Sequence, residues 1–191
     1  MHYIDLIKNF IPANQQEKID LEVMLQYIDT YSNNVLLRDN KIAHITSSGF
    51  IMNPTLDKVL LIHHNIRNTW AWTGGHADGD EDLLHVAIKE AKEETGVRHI
   101  TPLTSKIASI DVLPVLSHMK NGQYVNAHLH LSVAFILICD ESEQLTICPN
   151  ENSGVEWVSI DKFTSEYFDE HDVYLYNKLI EFAKRQSSCL V

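Results

Sequence analysis

Basic side chains are in short supply: 15 Lys and Arg stand against 26 Asp and Glu, a formal net charge of −11. That balance argues against broad electrostatic binding to nucleic acid or to an anionic membrane surface. A phosphate-bearing ligand would therefore need a metal ion or a local basic pocket. Cysteine is also scarce. Cys139, Cys148 and Cys189 are odd in number and show no metal-ligand spacing, which argues against a disulfide framework or a thiolate metal site. No apolar run approaches the roughly 18 residues of a membrane span. The N-terminal stretch carries acids and lacks the apolar core of a signal peptide. Internal repeats and low-complexity linkers are missing too. The expectation is a soluble, reduced, cytoplasmic protein without a membrane partner. At 191 residues, 45% hydrophobic and with five prolines, the chain has room for one well-buried core and too little for two ordinary domains.

What the chain does have is a dense stretch from Trp72 to Val97. Its second half predicts a helix: Asp80 or Asp82 can cap the start, Leu84, Ala87, Ile88 and Ala91 recur at helical spacing, and Gly96 suits the left-handed residue past the end. On such a helix Glu90, Glu93 and Glu94 share one flank. Like charges at that spacing oppose helix formation by a few tenths of a kcal/mol per pair, so something should compensate. Lys89 and Lys92 could do so on a solvated acidic face. The alternative is a site for a hard divalent cation, since Mg²⁺ takes carboxylate oxygens and is shared with substrate phosphates.

Around this stretch the chain reads as helices and strands. Residues 2–31 predict two helical pieces parted at Pro12, with Asn14 and Glu17 as a capping box. Residues 42–53 and 59–62 predict a hairpin across an Asn53–Asp57 turn. Trp70 and Trp72 lie two apart on an extended segment before Gly74-Gly75; one could stack on a nucleobase, although packing is the commoner fate of such residues. Residues 105–117 and 124–139 predict two long strands joined at Asn121-Gly122, with Val133–Ile138 a central strand. His128 and His130 share one strand face but lack an evident third ligand, which favours a polar face over a metal site. His76 is better placed to meet a phosphate, and His63, His64 and Arg67 are candidates for the same mouth. A short strand follows Pro149, and residues 161–168 and 170–186 predict helices, the latter with an apolar face.

The spacing Gly75, five residues, Glu81, seven residues, Lys89-Glu90-Ala91, one residue, Glu93-Glu94, one residue, Gly96-Val97 resembles the Nudix box. Lys89 stands where that family has Arg, and Ala91 where it prefers a larger aliphatic residue. Lys keeps the charge but loses the planar fork that can hold a carboxylate in two hydrogen bonds.

The resemblance implies an α/β fold, the Nudix α/β/α sandwich with a mixed sheet, here with an N-terminal helical extension (residues 1–40) and a Nudix domain (41–191) ending in a long helix. It implies metal-dependent hydrolysis of a pyrophosphate bond in a nucleoside diphosphate linked to another group, with Mg²⁺ or Mn²⁺ as cofactor. By position, Gly74 (through its carbonyl), Glu90, Glu93, Glu94 and Glu151 are the metal ligands. Glu90, Glu93 and Glu151 are the catalytic carboxylates, Glu93 and Glu151 being the open choices for general base and Glu156 a weaker one. Gly75, Glu81, Lys89 and Gly96 are structural, with Glu81 and Lys89 joining loop to helix, while His76, Arg67, Trp70 and Trp72 are candidates for substrate binding. The implied partner is a small nucleotide-type diphosphate, with no nucleic acid, and a homodimer is left open. Two rivals share the fold. An isopentenyl-diphosphate isomerase is disfavoured because Thr73-Gly74-Gly75-His76 offers no Cys. A catalytically silent nucleotide-sugar sensor is disfavoured because the box carboxylates are intact.

Overall fold

The computed structural model describes residues 2–120 and 122–188. Two helices come first, α1 (Tyr3–Lys8) and α2 (Gln15–Tyr31). The Asn14 side chain accepts from the Glu17 amide at 2.9 Å, and Glu17 Oε2 accepts in return from the amide of Ala13 at 2.8 Å. The expected capping box is made, with its return bond one residue earlier than the usual pattern.

The strands follow as β1 (Ala43–Met52), β2 (Lys58–His64), β3 (Thr69–Ala71) and β4 (Thr73–His76). The box helix is α3 (Leu83–Thr95). Beyond it lie β5 (Ile100–Pro102), β6 (Ser109–Val115), β7 (His118–Lys120), β8 (Gln123–Val125), β9 (His128–Cys139), β10 (Asn152–Ser159) and the terminal helix α4 (Glu170–Ser188). The main sheet runs β10-β2-β1-β9-β5, with β3, β4 and β6 pairing laterally to β2, β1 and β9. It is mixed: β1 and β9 run parallel in register from Ala43↔Leu129 to Met52↔Ile138, and their neighbours are antiparallel. The apolar run 133–138 lies inside β9, bonded on both sides, as its composition predicts.

Alternation along the strands gives the sheet two different faces. Ile45, Ile51, Val133, Phe135 and Leu137 face Ala87 and Ala91 of α3 and Met24 and Ile28 of α2, in one apolar cluster. Phe50, Met52, Ala134 and Ile136 face the other way, onto Tyr176, Leu179 and Ile180 of α4. The N-terminal helices thus cover the sheet on the box-helix side. They are also tied to α4 by a buried ion network: Lys178 Nζ lies 2.6 Å from Asp111 Oδ1 and 3.3 Å from Glu17 Oε1, and donates to Gln16 Oε1 at 3.0 Å.

Two expectations are corrected. Residues 161–168 are not a helix; a single short 3-10 turn at Ile160–Lys162 is followed by an isolated turn in which the Tyr167 and Phe168 amides donate to the Thr164 carbonyl. Phe163 and Phe168 stack nearly parallel, centroids 5.1 Å apart, and both pack on Tyr176. A continuous helix would splay two residues five apart by about 140°. The 124–139 strand is broken at 126–127, where the Asn126 side chain donates to the Lys41 carbonyl at 2.7 Å. The long antiparallel pair is therefore β6–β9, spanning Ser109↔Ala134 to Val115↔His128. The small β7–β8 hairpin turns through Gly122 at φ 76°, while Asn121, like Cys189, lies outside the described residues. The expected β1–β2 hairpin forms across the Asn53–Asp57 turn, pairing at Ile51↔Leu60 and Met52↔Val59, while most of the rest of that edge of β1 is taken by β4.

Candidate active site

The box helix starts where its sequence predicts. Asp82 Oδ1 accepts from the His85 amide at 3.0 Å, Asp80 Oδ1 supports the Asp82 amide at 2.8 Å, and Gly96 ends the helix at φ 77°. Ala87 and Ala91, both fully buried, let α3 lie close on β1 and β4. That close approach brings the carboxylates onto the glycine strand. Glu94, only 3% exposed, accepts from the Gly74 amide at 2.9 Å. The Glu90 carboxylate lies directly over Gly75, where an added Cβ would stand 2.4 Å from Glu90 Cδ. The second glycine of the pair is needed for space.

The three box carboxylates differ in environment. Burial pushes Glu94 up to about 8, only partly opposed by the Gly74 amide and reinforced by the charges of Glu151, Glu90 and Glu93. Glu90 is raised as well, by burial, against the pull of Lys89. Glu93 is 57% exposed on its side chain. Lys89 lies 3.5 Å from Glu90 and 3.8 Å from Glu93, so it serves these two carboxylates. Glu81 faces the N-terminal segment instead, 3.2 Å from His2 and accepting from Asn33 at 3.4 Å. The Lys-for-Arg exchange thus coincides with a loop held from outside the box.

Glu151 is exposed in the turn just before β10, within electrostatic reach of both Glu90 and Glu94. It is held there by Asn152, whose buried side chain donates to the Glu94 carbonyl at 2.8 Å and accepts from the Cys148 amide at 3.1 Å. Glu156 lies beyond the box, on β10 opposite Leu61.

The four residues considered for substrate binding do not converge on these carboxylates. Trp72 packs edge-on to Phe50 and Tyr176, on the α4 face. Trp70 lies edge-on to His63, with its ring against Gly154. Arg67 donates to both oxygens of Asp172 at 3.1 Å. His76 sits beside His44 and His130. Sequence reasoning missed Arg38, whose guanidinium pairs with Asp78 and lies within electrostatic reach of Glu90 and Glu151. Only the docking of the N-terminal segment brings it near, and no local motif signals that. His64 also has Glu151 and Lys120 within electrostatic reach, so the β7–β8 hairpin borders the same mouth.

The donor set fits a hard divalent cation. Glu90, Glu93, Glu94 and Glu151 would supply carboxylate oxygens and Gly74 a carbonyl, the ligand types Mg²⁺ and Mn²⁺ prefer. The raised values at Glu90 and Glu94 come first from burial, with the neighbouring carboxylates adding to it; a bound cation would offset both.

The family model for the NUDIX domain matches residues 43–179, and the chain belongs to the Nudix family; it is a Nudix-type hydrolase. It is 24% identical over 141 residues to a Lactococcus lactis subsp. cremoris (strain MG1363) protein named as a probable DHNTP pyrophosphohydrolase, covering 73% of this chain and 80% of that one. Among solved structures, a MutT protein from Methanosarcina mazei Go1 superposes with a TM-score of 0.52 at 22% identity, over 76% of this chain and 96% of its own. An Ap4A hydrolase from C. elegans gives 0.50 at 16% identity, over 72% and 96%. These structural likenesses show the fold. Among the described residues no helix is long and apolar enough to cross a membrane.

Proposed function

We propose that the chain hydrolyses the pyrophosphate bond of a nucleoside diphosphate linked to a further group, using Mg²⁺ or Mn²⁺ held by Glu90 and Glu94, with Glu93, Glu151 and the Gly74 carbonyl completing the donor set. The observation that carries this reading is the buried Glu94 carboxylate on the Gly74 amide, with Glu90 packed over Gly75. The pyrophosphohydrolase activity in the name of the L. lactis relative supports it.

A divalent ion at these oxygens would neutralise phosphate charge and lower the pKa of a water. The remaining work belongs to the chain's own residues. The Gly74 amide fixes one oxygen of Glu94 and leaves the other free. Lys89 limits the repulsion between Glu90 and Glu93. An attacking water passes its proton to a carboxylate oxygen of Glu93 or Glu151, the two acids exposed at the mouth; a general base must lie within hydrogen-bond reach of that water. Arg38 offers the nearby guanidinium suited to a leaving phosphate.

The test is a panel of DHNTP, Ap4A, ADP-ribose, nucleotide sugars, NADH, coenzyme A and oxidised nucleoside triphosphates. Products are followed by chromatography with Mg²⁺, with Mn²⁺ and with chelator. Metal-dependent cleavage at a phosphoanhydride bond is expected for one class. Cleavage that is unaffected by chelator, or that releases only a terminal phosphate from a monoester, contradicts the proposal.

A further inference from the structure

Four histidines from three strands meet on the face of the sheet away from the box helix. Ser47 donates to the Leu83 carbonyl of α3, so the odd positions of β1 face the box helix, and the even positions, His44 among them, face the opposite way. His44 pairs in register with His130, and His76 lies opposite Thr46 two residues along. His128 and His130 project together from β9. One ring nitrogen from each of His44, His76, His128 and His130 can be chosen so that all lie within 4.8 Å of one another.

Two of the four have their tautomer set by the backbone. His44 Nδ1 is 3.0 Å from the Asn40 carbonyl, and His128 Nδ1 is 2.8 Å from the Asn126 carbonyl. A carbonyl only accepts, so each Nδ1 carries the proton and each Nε2 presents a lone pair. This is the outer-shell bond that metal-ligating histidines commonly make. The His44 Nε2 lone pair is buried and meets no hydrogen-bond donor among the described residues, a loss of roughly 1–3 kcal/mol for an ordinary polar group. His128 Nε2 and His130 Nε2 are 3.3 Å apart. A tetrahedral ion with bonds of about 2.0–2.1 Å requires its nitrogens about 3.3 Å apart. The charged neighbours are the paired Arg38 and Asp78: both lie within electrostatic reach of His44 and His76, and Arg38 within reach of His130.

We propose that His44, His76, His128 and His130 form a second metal centre, specific for a borderline divalent ion of the zinc class and separate from the carboxylate site on the box. Imidazole nitrogens suit zinc-class ions, whereas Mg²⁺ demands oxygen, so the two sites select different metals. The ion joins β1, β4 and β9 at one point. Because His76 lies two residues past Gly74 on the same strand, it also braces the amide that holds Glu94. The proposal is independent of the substrate and of the metal used for hydrolysis.

The test uses the full chain free of any affinity tag, stripped with chelator and then titrated with Zn²⁺ in excess Mg²⁺. Bound metal is measured by mass spectrometry after gel filtration, and Co²⁺ is used to report coordination geometry. The wild type is expected to retain one equivalent of zinc and to give the visible bands of a tetrahedral Co²⁺ site. Loss of a single outer-shell partner lowers metal affinity about 10–100-fold, so the His128→Gln/His130→Gln double variant should bind at least ~100-fold more weakly. Glu94→Gln should keep wild-type stoichiometry. His76→Asn serves as a second probe should the double variant lose its far-UV circular dichroism. A folded wild type that retains no zinc overturns the proposal. So does equal retention by the folded histidine variants, or loss of zinc in Glu94→Gln.

Discussion

The Gly74 amide donates to Glu94 Oε2 at 2.9 Å, and this bond joins the glycine strand to the box helix at a carboxylate almost sealed from solvent. One N–H does not replace the waters a free carboxylate binds, so burial outweighs the hydrogen bond and the group is pushed up to about 8. Both the proposed chemistry and a stability cost follow from this residue.

The cost has a definite pH window. Glu94 has a folded-state value near 8 against an ordinary value of 4.5, so between these limits the folded protein holds the proton more tightly than the unfolded chain does. Its stabilising contribution is complete below about pH 4.5 and is lost as pH rises through about 8. Thermal unfolding of chelator-treated protein should show stability falling over this range by on the order of a few kcal/mol. Glu94→Gln should flatten the slope, and Mg²⁺ should restore stability more at pH 8 than at pH 5. An unchanged slope in Glu94→Gln would contradict the assignment.

The two glycines should fail differently. A Cβ at Gly75 would stand 2.4 Å from Glu90 Cδ, a side chain able to swing aside, so Gly75→Ala is expected to lower turnover by at least about tenfold while costing little stability. A Cβ at Gly74 would stand 2.9 Å from Ser48 Cα. Strained backbone there should destabilise by about 1–3 kcal/mol. Denaturant midpoints measured beside turnover separate the two.

Lys178 is buried between Asp111 and Glu17. Removing it strands two buried carboxylates, and breaking such a pair costs about 3–5 kcal/mol. Lys178→Met should therefore destabilise strongly in urea unfolding, and a Lys178→Met/Asp111→Leu/Glu17→Gln variant, which keeps an oxygen for the Ala13 amide, should recover part of the loss. An effect of under about 0.5 kcal/mol for the single change would place the network among screened surface pairs.

The parts of the molecule legible in the sequence are those set by local rules. Asn14 and Glu17 cap α2, Asp82 and Gly96 bound α3, and the apolar run in β9 lies in the middle of the sheet. Each depends on neighbours within a few residues. The misread segments were decided at long range. Residues 161–168 follow the stacking of Phe163 and Phe168 on Tyr176 rather than a helical period. The histidine cluster depends on the parallel register of β1 and β9, which brings His44 to His130 across 86 residues of chain; spacing along β9 alone gave no third ligand for His128 and His130. Arg38 reaches the carboxylates only because the segment after α2 docks beside Asp78. Glu81 is engaged by His2 and Asn33 rather than by Lys89, a choice made by the N-terminal helices.

The most direct test of the central claim is Mg²⁺-dependent turnover of the best substrate by Glu94→Gln beside the wild type. Gln keeps an oxygen to accept from the Gly74 amide and removes only the charge. A fall in kcat of at least about 10³-fold, with melting temperature unchanged or raised at pH 8, is the predicted result. Near-normal turnover in the folded variant would contradict the account.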